Sequence, residues 1–202
     1  NTKVMAALVT GGSLRIGREI CLSLARAKIP VIIHYRSPKT AALALKAEIE
    51  SLGVVCSTVG ADLGLMTESG SLFQDALKSL YASSGGRCNT IDIVVNSASI
   101  FEYDALLLDK TNEKDSRSKE GEEVVGVSPS VFQRHMMVNC YAPLQLSAEL
   151  ACHIRKRNSL LPQETHMRDR PQGKIINLLD QKLSAPNADH LSYTLSKYAL
   201  GG

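Results

Sequence analysis

Short β-rich apolar runs alternate with longer stretches of helical spacing along this chain, and that alternation limits its fold more than any other feature. The runs fall at 4–10, 30–35, 54–59, 91–95 and 174–179, and the helical stretches at 15–27, 40–52, 69–82 and 130–157. Runs such as 6–9 and 29–33 are apolar on both faces, which suits strands buried in a parallel sheet. Parallel strands need crossover helices to join them. The order of segments predicts an α/β, doubly wound, parallel-sheet domain. Residues 1–202 are taken as one such domain, with a mobile polar loop around 109–123 and a second polar insert at 158–172. The basic cluster Arg155-Lys156-Arg157 suits a helix C-terminus, where the dipole favours positive charge.

Composition removes several function classes. The 23 Lys+Arg against 20 Asp+Glu leave a net charge of +3, too mild for a nucleic-acid footprint. No apolar run approaches the roughly 20 residues of a membrane span. Five cysteines with no C-x-x-C spacing suggest neither a zinc site nor a disulfide framework, and no other metal site is expected. They fit a reducing cytosol. The chain opens at Asn1 with no signal peptide and no methionine, so the true N-terminus is expected to lie outside it.

The first strand runs into Thr10-Gly11-Gly12-Ser13-Leu14-Arg15-Ile16-Gly17, and a helix follows with Ile16, Ile20 and Leu24 on one stripe. Glycines at such a turn let backbone approach a pyrophosphate, which the open N–H groups of the helix start then receive. The same turn is compatible with a purely structural βα connection. The second strand ends in His34-Tyr35-Arg36-Ser37, without the acid that meets a free ribose 2′-hydroxyl. Arginine offers a planar fork of donors to a 2′-phosphate, so NADP(H) is expected over NAD(H). Arg36 capping an exposed strand end remains the plainer alternative.

Near the C-terminus lies Ser192-Tyr193-Thr194-Leu195-Ser196-Lys197. Positions four apart share a helix face, so Tyr193 and Lys197 can address one reaction. An ammonium stabilises a phenolate and draws a tyrosine pKa down from about 10. In the long helical stretch Pro143 cannot donate to the carbonyl four residues back, that of Asn139. That carbonyl could hold a water in a proton path, with the Asn139 side chain holding the bend; an incidental kink is equally compatible. Asp180 falls at the carboxyl end of the fifth strand, where ligands bind in such sheets, or else is a solvated loop residue.

Together these residues resemble the short-chain dehydrogenase/reductase superfamily, and within it the pteridine reductases, over essentially the whole chain. The superfamily's first turn is Thr-Gly-x-x-x-Gly-x-Gly; Thr10, Gly11 and Gly17 match, and Arg15 replaces the middle glycine as in pteridine reductases. The resemblance implies a Rossmann fold with a cofactor held by Gly11, Ser13, Arg15, Ile16, Gly17, His34, Tyr35, Arg36 and Ser37. It adds Asp62 and Leu63 at the adenine, and Asn96-Ser97-Ala98-Ser99, where Ser97 departs from the usual second asparagine. It also implies that Phe101 stacks the substrate ring, and that Asn139, Tyr193 and Lys197 are catalytic. Tyr193 and Lys197 would contact the cofactor as well. Most of the superfamily carries a serine where this chain has Asp180; pteridine reductases carry an aspartate. A like charge beside Tyr193 opposes the effect of Lys197 and suits a protonated tyrosine that donates. Substrate contacts are then Arg15, Ser99, Phe101, Asp180 and Tyr193. The implied function is NADPH-dependent reduction of a pterin or folate, by a homotetramer. A carbonyl reductase of the same superfamily and a non-catalytic nucleotide-binding relative stand as alternatives. Tyr193 and Lys197 lie near two-thirds of the length of a family member, so the resemblance also implies that the C-terminal strands are lacking here.

Overall fold

The computed structural model describes residues 5–105, 126–187 and 189–202; the polar loop expected at 109–123 lies outside them. By their contacts the residues group into two compact units. One comprises Asn1–Ala98 with Ala142–Leu178, the other Ser99–Tyr141 with Leu179–Gly202.

The first unit is a five-stranded parallel sheet. Its strands are β1 (Ala7–Val9), β2 (Val31–Tyr35), β3 (Cys56–Gly60), β4 (Ile93–Asn96) and β5 (Lys174–Asn177), in the order β3-β2-β1-β4-β5. The register pairs Leu8 with Ile32 and with Val94, and Val94 with Ile175. Helices α1 (Arg15–Arg26), α2 (Lys39–Ser51), α3 (Met66–Ser83) and α5 (Ala142–Ser159) supply the crossovers expected from the alternation. Side chains on a strand alternate between faces. Ala7, Val9, Val31 and Ile33 therefore pack together with Cys21, Leu22 and Ala25 of α1 and Leu45 and Ile49 of α2. Leu8, Ile32 and Val94 take the other face, equally buried. Truncating a fully buried residue such as Ile32 to alanine costs about 2–5 kcal/mol.

β5 departs from the expected two-faced burial. Ile175 and Ile176, which point to opposite faces of the sheet, are about half exposed, at 47% and 48%, and β5 is an edge strand paired with β4 alone. Winding reverses between β1 and β4, so the carboxyl ends of these two strands form the switch point at which such sheets bind ligands.

The second unit holds α4 (Pro129–Met136), a π-helical turn (Met137–Tyr141), a 3-10 turn (Gln181–Leu183) and α6 (Leu191–Gly201). The π turn ends two positions before Pro143 and contains Asn139, whose carbonyl the proline cannot engage, and this is how the helical stretch accommodates a residue that cannot continue the ladder. Among the described residues no helix is long and apolar enough to cross a membrane.

Candidate functional site

In the first unit the switch point is built from backbone. Thr10 is buried, and its Oγ1 accepts from the backbone N–H groups of Ser97 and Ala98 at 3.0 Å each. This draws the end of β4 against the turn. Gly11 has a φ of +61, and a Cβ on it would meet Ala98 Cα at 2.9 Å. A Cβ on Gly17 would lie 2.2 Å from the Gly11 carbonyl oxygen. Neither position has room for a side chain. Arg15 also lies in the left-handed region, at φ 50, which explains why a glycine usually stands there. α1 begins with no side-chain cap and no acidic residue in its first turn, so no carboxylate competes for its leading N–H groups. The turn fits a phosphate-bearing cofactor: bare backbone and an open helix start, with Arg15 exposed in the turn and Arg36 and Ser37 exposed just after β2.

Other residues expected at the cofactor are placed differently. His34 is 2% exposed; its Nδ1 accepts from Gly11 N–H at 3.1 Å and its Nε2 lies 3.1 Å from the Ala61 carbonyl oxygen. The ring therefore supports the glycine turn from inside the protein rather than facing a ligand. Burial pulls its pKa down to about 4, and the Gly11 N–H leaves no place for a proton on Nδ1. Asn96 is likewise buried and donates to Asn177 Oδ1 at 2.8 Å, tying β4 to β5. Cys21 packs beneath Gly12, its thiol pushed up to about 12 by burial, and behaves as a small apolar group. Ser13 and Leu63 are buried, Ile16 is exposed, and the Tyr35 ring lies against Gly60. The Asp62 carboxylate accepts from Gly64 N–H at 2.8 Å.

The second unit gathers side chains. Tyr193 and Lys197 lie one turn apart on α6 and are 6% and 3% exposed. The Tyr193 hydroxyl donates to Asp180 Oδ2 at 2.6 Å, and Lys197 Nζ lies 5.8 Å from the centre of the Tyr193 ring. Asp180 is not a strand residue. β5 ends at Asn177, and Asp180 caps the 3-10 turn, accepting from Lys182 N–H at 2.9 Å. The Tyr193 hydrogen bond and then that backbone N–H hold the Asp180 carboxyl below the usual carboxylate range. Burial, and then the Asp180 hydrogen bond and charge, push the Tyr193 phenol above its ordinary value. Lys197 is pulled down by burial, with Asp180 opposing. The arrangement is a protonated tyrosine beside an ionised aspartate.

Asn139 sits within the π turn, fully buried. Its Oδ1 accepts from Ile100 N–H at 2.9 Å and from Ser99 Oγ at 3.2 Å; its Nδ2 donates to the Ile100 carbonyl and to Ser196 Oγ. The side chain thus joins the 99–100 segment to α6 rather than bracing its own bend. Phe101 is 56% exposed, and His190 stacks on it with centres 3.8 Å apart; Tyr193 meets it edge-on at 4.7 Å. Four neighbours lay outside the sequence reading: His135, His190, Asp104 and Lys182. Asp104 accepts from Ser192 N–H at 3.0 Å and from its hydroxyl, capping α6 from a distant stretch of chain. Lys182 Nζ is 2.8 Å from Asp189 and 5.9 Å from the Phe101 centre. No spacing in the sequence announces any of them.

Residues 5–202 match the short chain dehydrogenase family, and the chain belongs to it. It is 30% identical over 198 residues to the short chain dehydrogenase penD of Penicillium thymicola, covering 96% of this chain and 58% of that protein. Two solved structures superpose well. FolM alternative dihydrofolate reductase 1 of Brucella canis, complexed with NADP, gives a TM-score of 0.70 at 26% identity over 97% of this chain and 64% of that one. The landomycin C-6 ketoreductase LanV, with bound NADP and rabelomycin, gives 0.73 at 28% identity over 99% and 67%. This chain therefore spans about three-fifths of the length of the penD protein.

Proposed function

We propose that the protein is an NADPH-dependent reductase acting on an oxidised pterin or related folate. The observation that carries this reading is the 2.6 Å hydrogen bond from Tyr193 to Asp180. The fold and the FolM likeness support it. Backbone at Gly11–Gly17, with Arg15, Arg36 and Ser37, would hold the cofactor phosphates. When bound, NADPH supplies a hydride to a ring C=N carbon. Tyr193 Oη holds the proton destined for the ring nitrogen, and Asp180 keeps it on the phenol by accepting its hydrogen bond and by its negative charge. Lys197, the nearby cation, stabilises the phenolate left after transfer. Asp180 also offers an acceptor to the amino and ring N–H groups of such a heterocycle. Asn139 keeps Ser99 and Ile100 in register with α6.

A ketone would instead need a donor at its developing oxyanion, which an ionised aspartate cannot provide. LanV and its kind nevertheless make carbonyl reduction the reading to test against. NADPH oxidation is therefore followed on the full-length protein with biopterin, dihydrobiopterin and simple ketones. Pterin turnover without ketone turnover is expected, and Asp180→Ser moves activity toward ketones. Ketone turnover by the wild type with none on any pterin or folate would overturn the substrate assignment. NADPH binding without any turnover would mark a non-catalytic relative. The same reading includes a homotetramer, which size-exclusion chromatography with light scattering tests. It also places the enzyme in the cytoplasm, in keeping with its five free cysteines.

A further inference from the structure

The segment 100–104 of the second unit is held at every other residue. Ile100 is bonded through its N–H and carbonyl to Asn139. Glu102 donates its N–H to His135 Nε2 at 3.2 Å, and its carbonyl oxygen lies 2.9 Å from His190 Nδ1. Asp104 accepts from Leu191 N–H through its carbonyl and from Ser192 through its carboxylate. Extended chain turns successive side chains to opposite sides. Phe101 and Tyr103, the residues in between, both meet the His190 ring, stacked at 3.8 Å and edge-on at 5.6 Å respectively.

We propose that His135 and His190 are positioning residues that hold the two backbone polar groups of Glu102, its N–H and its carbonyl, and so set Phe101 as the platform for an aromatic heterocycle beside Tyr193. The proposal deepens the pterin-reductase reading and rests on it for the ligand class. His135 is fully buried near the end of α4. Its Nδ1 is 2.8 Å from the Val131 carbonyl oxygen, which can only accept, so Nδ1 carries the hydrogen and Nε2 is left as the acceptor for Glu102. Both ring nitrogens are committed. His190 has a φ of 53, a left-handed backbone that a residue with a side chain adopts only when its surroundings hold it there. Its bond to Glu102 and its stack on Phe101 are what hold it. A polar hold on both peptides that flank Glu102, with a 56% exposed ring next to them, is more than packing requires.

Phe101 is one of three phenylalanines in these 202 residues, and in the fluorine spectrum of the fluorophenylalanine-labelled protein Phe101→Leu assigns its line. His135→Leu removes the acceptor for Glu102, whereas His135→Gln restores an acceptor oxygen. The Phe101 line is expected to move toward its unfolded position in His135→Leu and to stay near wild type in His135→Gln. KM for the heterocycle rises roughly tenfold in His135→Leu, as expected for one lost buried hydrogen bond, and by more than any fall in kcat. His190→Ala, which removes both the bond and the stack, moves the same line and serves if His135→Leu does not fold. An unmoved Phe101 line in the leucine or alanine variant, a glutamine variant as impaired as leucine, or a loss confined to kcat overturns the proposal. If the wild type reduces no pterin or folate, the substrate reading falls on that result, while the fluorine spectra still decide whether the histidines position Phe101.

Discussion

The glycine turn after β1 and the tyrosine cluster on α6 are built by opposite means. The turn works by what it omits: no Cβ fits at Gly11 or Gly17, no side chain caps α1, and the backbone is left bare. The cluster works by what it buries. Asn139, Tyr193, Lys197, Asp104 and His135 are all under a tenth exposed, and Asn139, Tyr193, Asp104 and His135 each bond or pack to residues far away in the sequence. A site made of backbone depends on residue type at consecutive positions, so substitution there acts through sterics. A site made of side chains depends on which distant groups meet, so substitution there acts through protons and hydrogen bonds.

Four substitutions or conditions sharpen that contrast. The largest effect is expected in the cluster. Tyr193→Phe removes the proton at Oη and should lower kcat by about 10²–10⁴-fold while NADPH still binds, measured by turnover and by fluorescence titration. Next comes the turn. Gly17→Ala places a methyl group 2.2 Å from the Gly11 oxygen and should cost about 3 kcal/mol in urea unfolding, with NADPH affinity falling alongside. The reverse outcome, a silent alanine, would break the steric account of the turn.

The third test uses pH. His34 is neutral in the folded protein, with its pKa pulled down to about 4 from 6.5. Its contribution is present above 6.5 and is lost as pH falls, because the unfolded chain takes up the proton first. Between pH 6.5 and 5 this amounts to roughly 2 kcal/mol, and urea midpoints of His34→Gln should show a flatter pH dependence than wild type. The smallest change is expected for Arg15→Gly. Relief of the left-handed backbone offsets the greater freedom of glycine in the unfolded chain, leaving stability within about 1 kcal/mol. The preference for NADPH over NADH should weaken.

The same contrast explains what the sequence made legible. The sheet, its crossovers and the glycine turn follow from local periodicity and residue type, and each strand appears within three residues of its expected limits. Tyr193 and Lys197 were visible because helical spacing brings them together. Asp180 was visible as an acid after the fifth strand, but its place as the cap of a 3-10 turn was not, since it lies three positions beyond the strand end. His34 was expected at the cofactor from its place at the end of the second strand; only the fold shows that it is buried and supports Gly11. His135, His190 and Asp104 were illegible for a plainer reason. Each is a single polar residue whose partner lies more than thirty positions away, and no periodicity connects them.

A protonated Tyr193 held by an ionised Asp180 is the centre of the proposed site. Tyrosinate absorbance, followed against pH for wild type minus Tyr193→Phe, isolates this one phenol. The expected result is no ionisation of Tyr193 at pH 10, where an ordinary tyrosine is half ionised, and ionisation at lower pH once Asp180→Asn removes the charge. A wild-type Tyr193 that ionises below pH 10 would contradict the account and return the phenol to the control of Lys197.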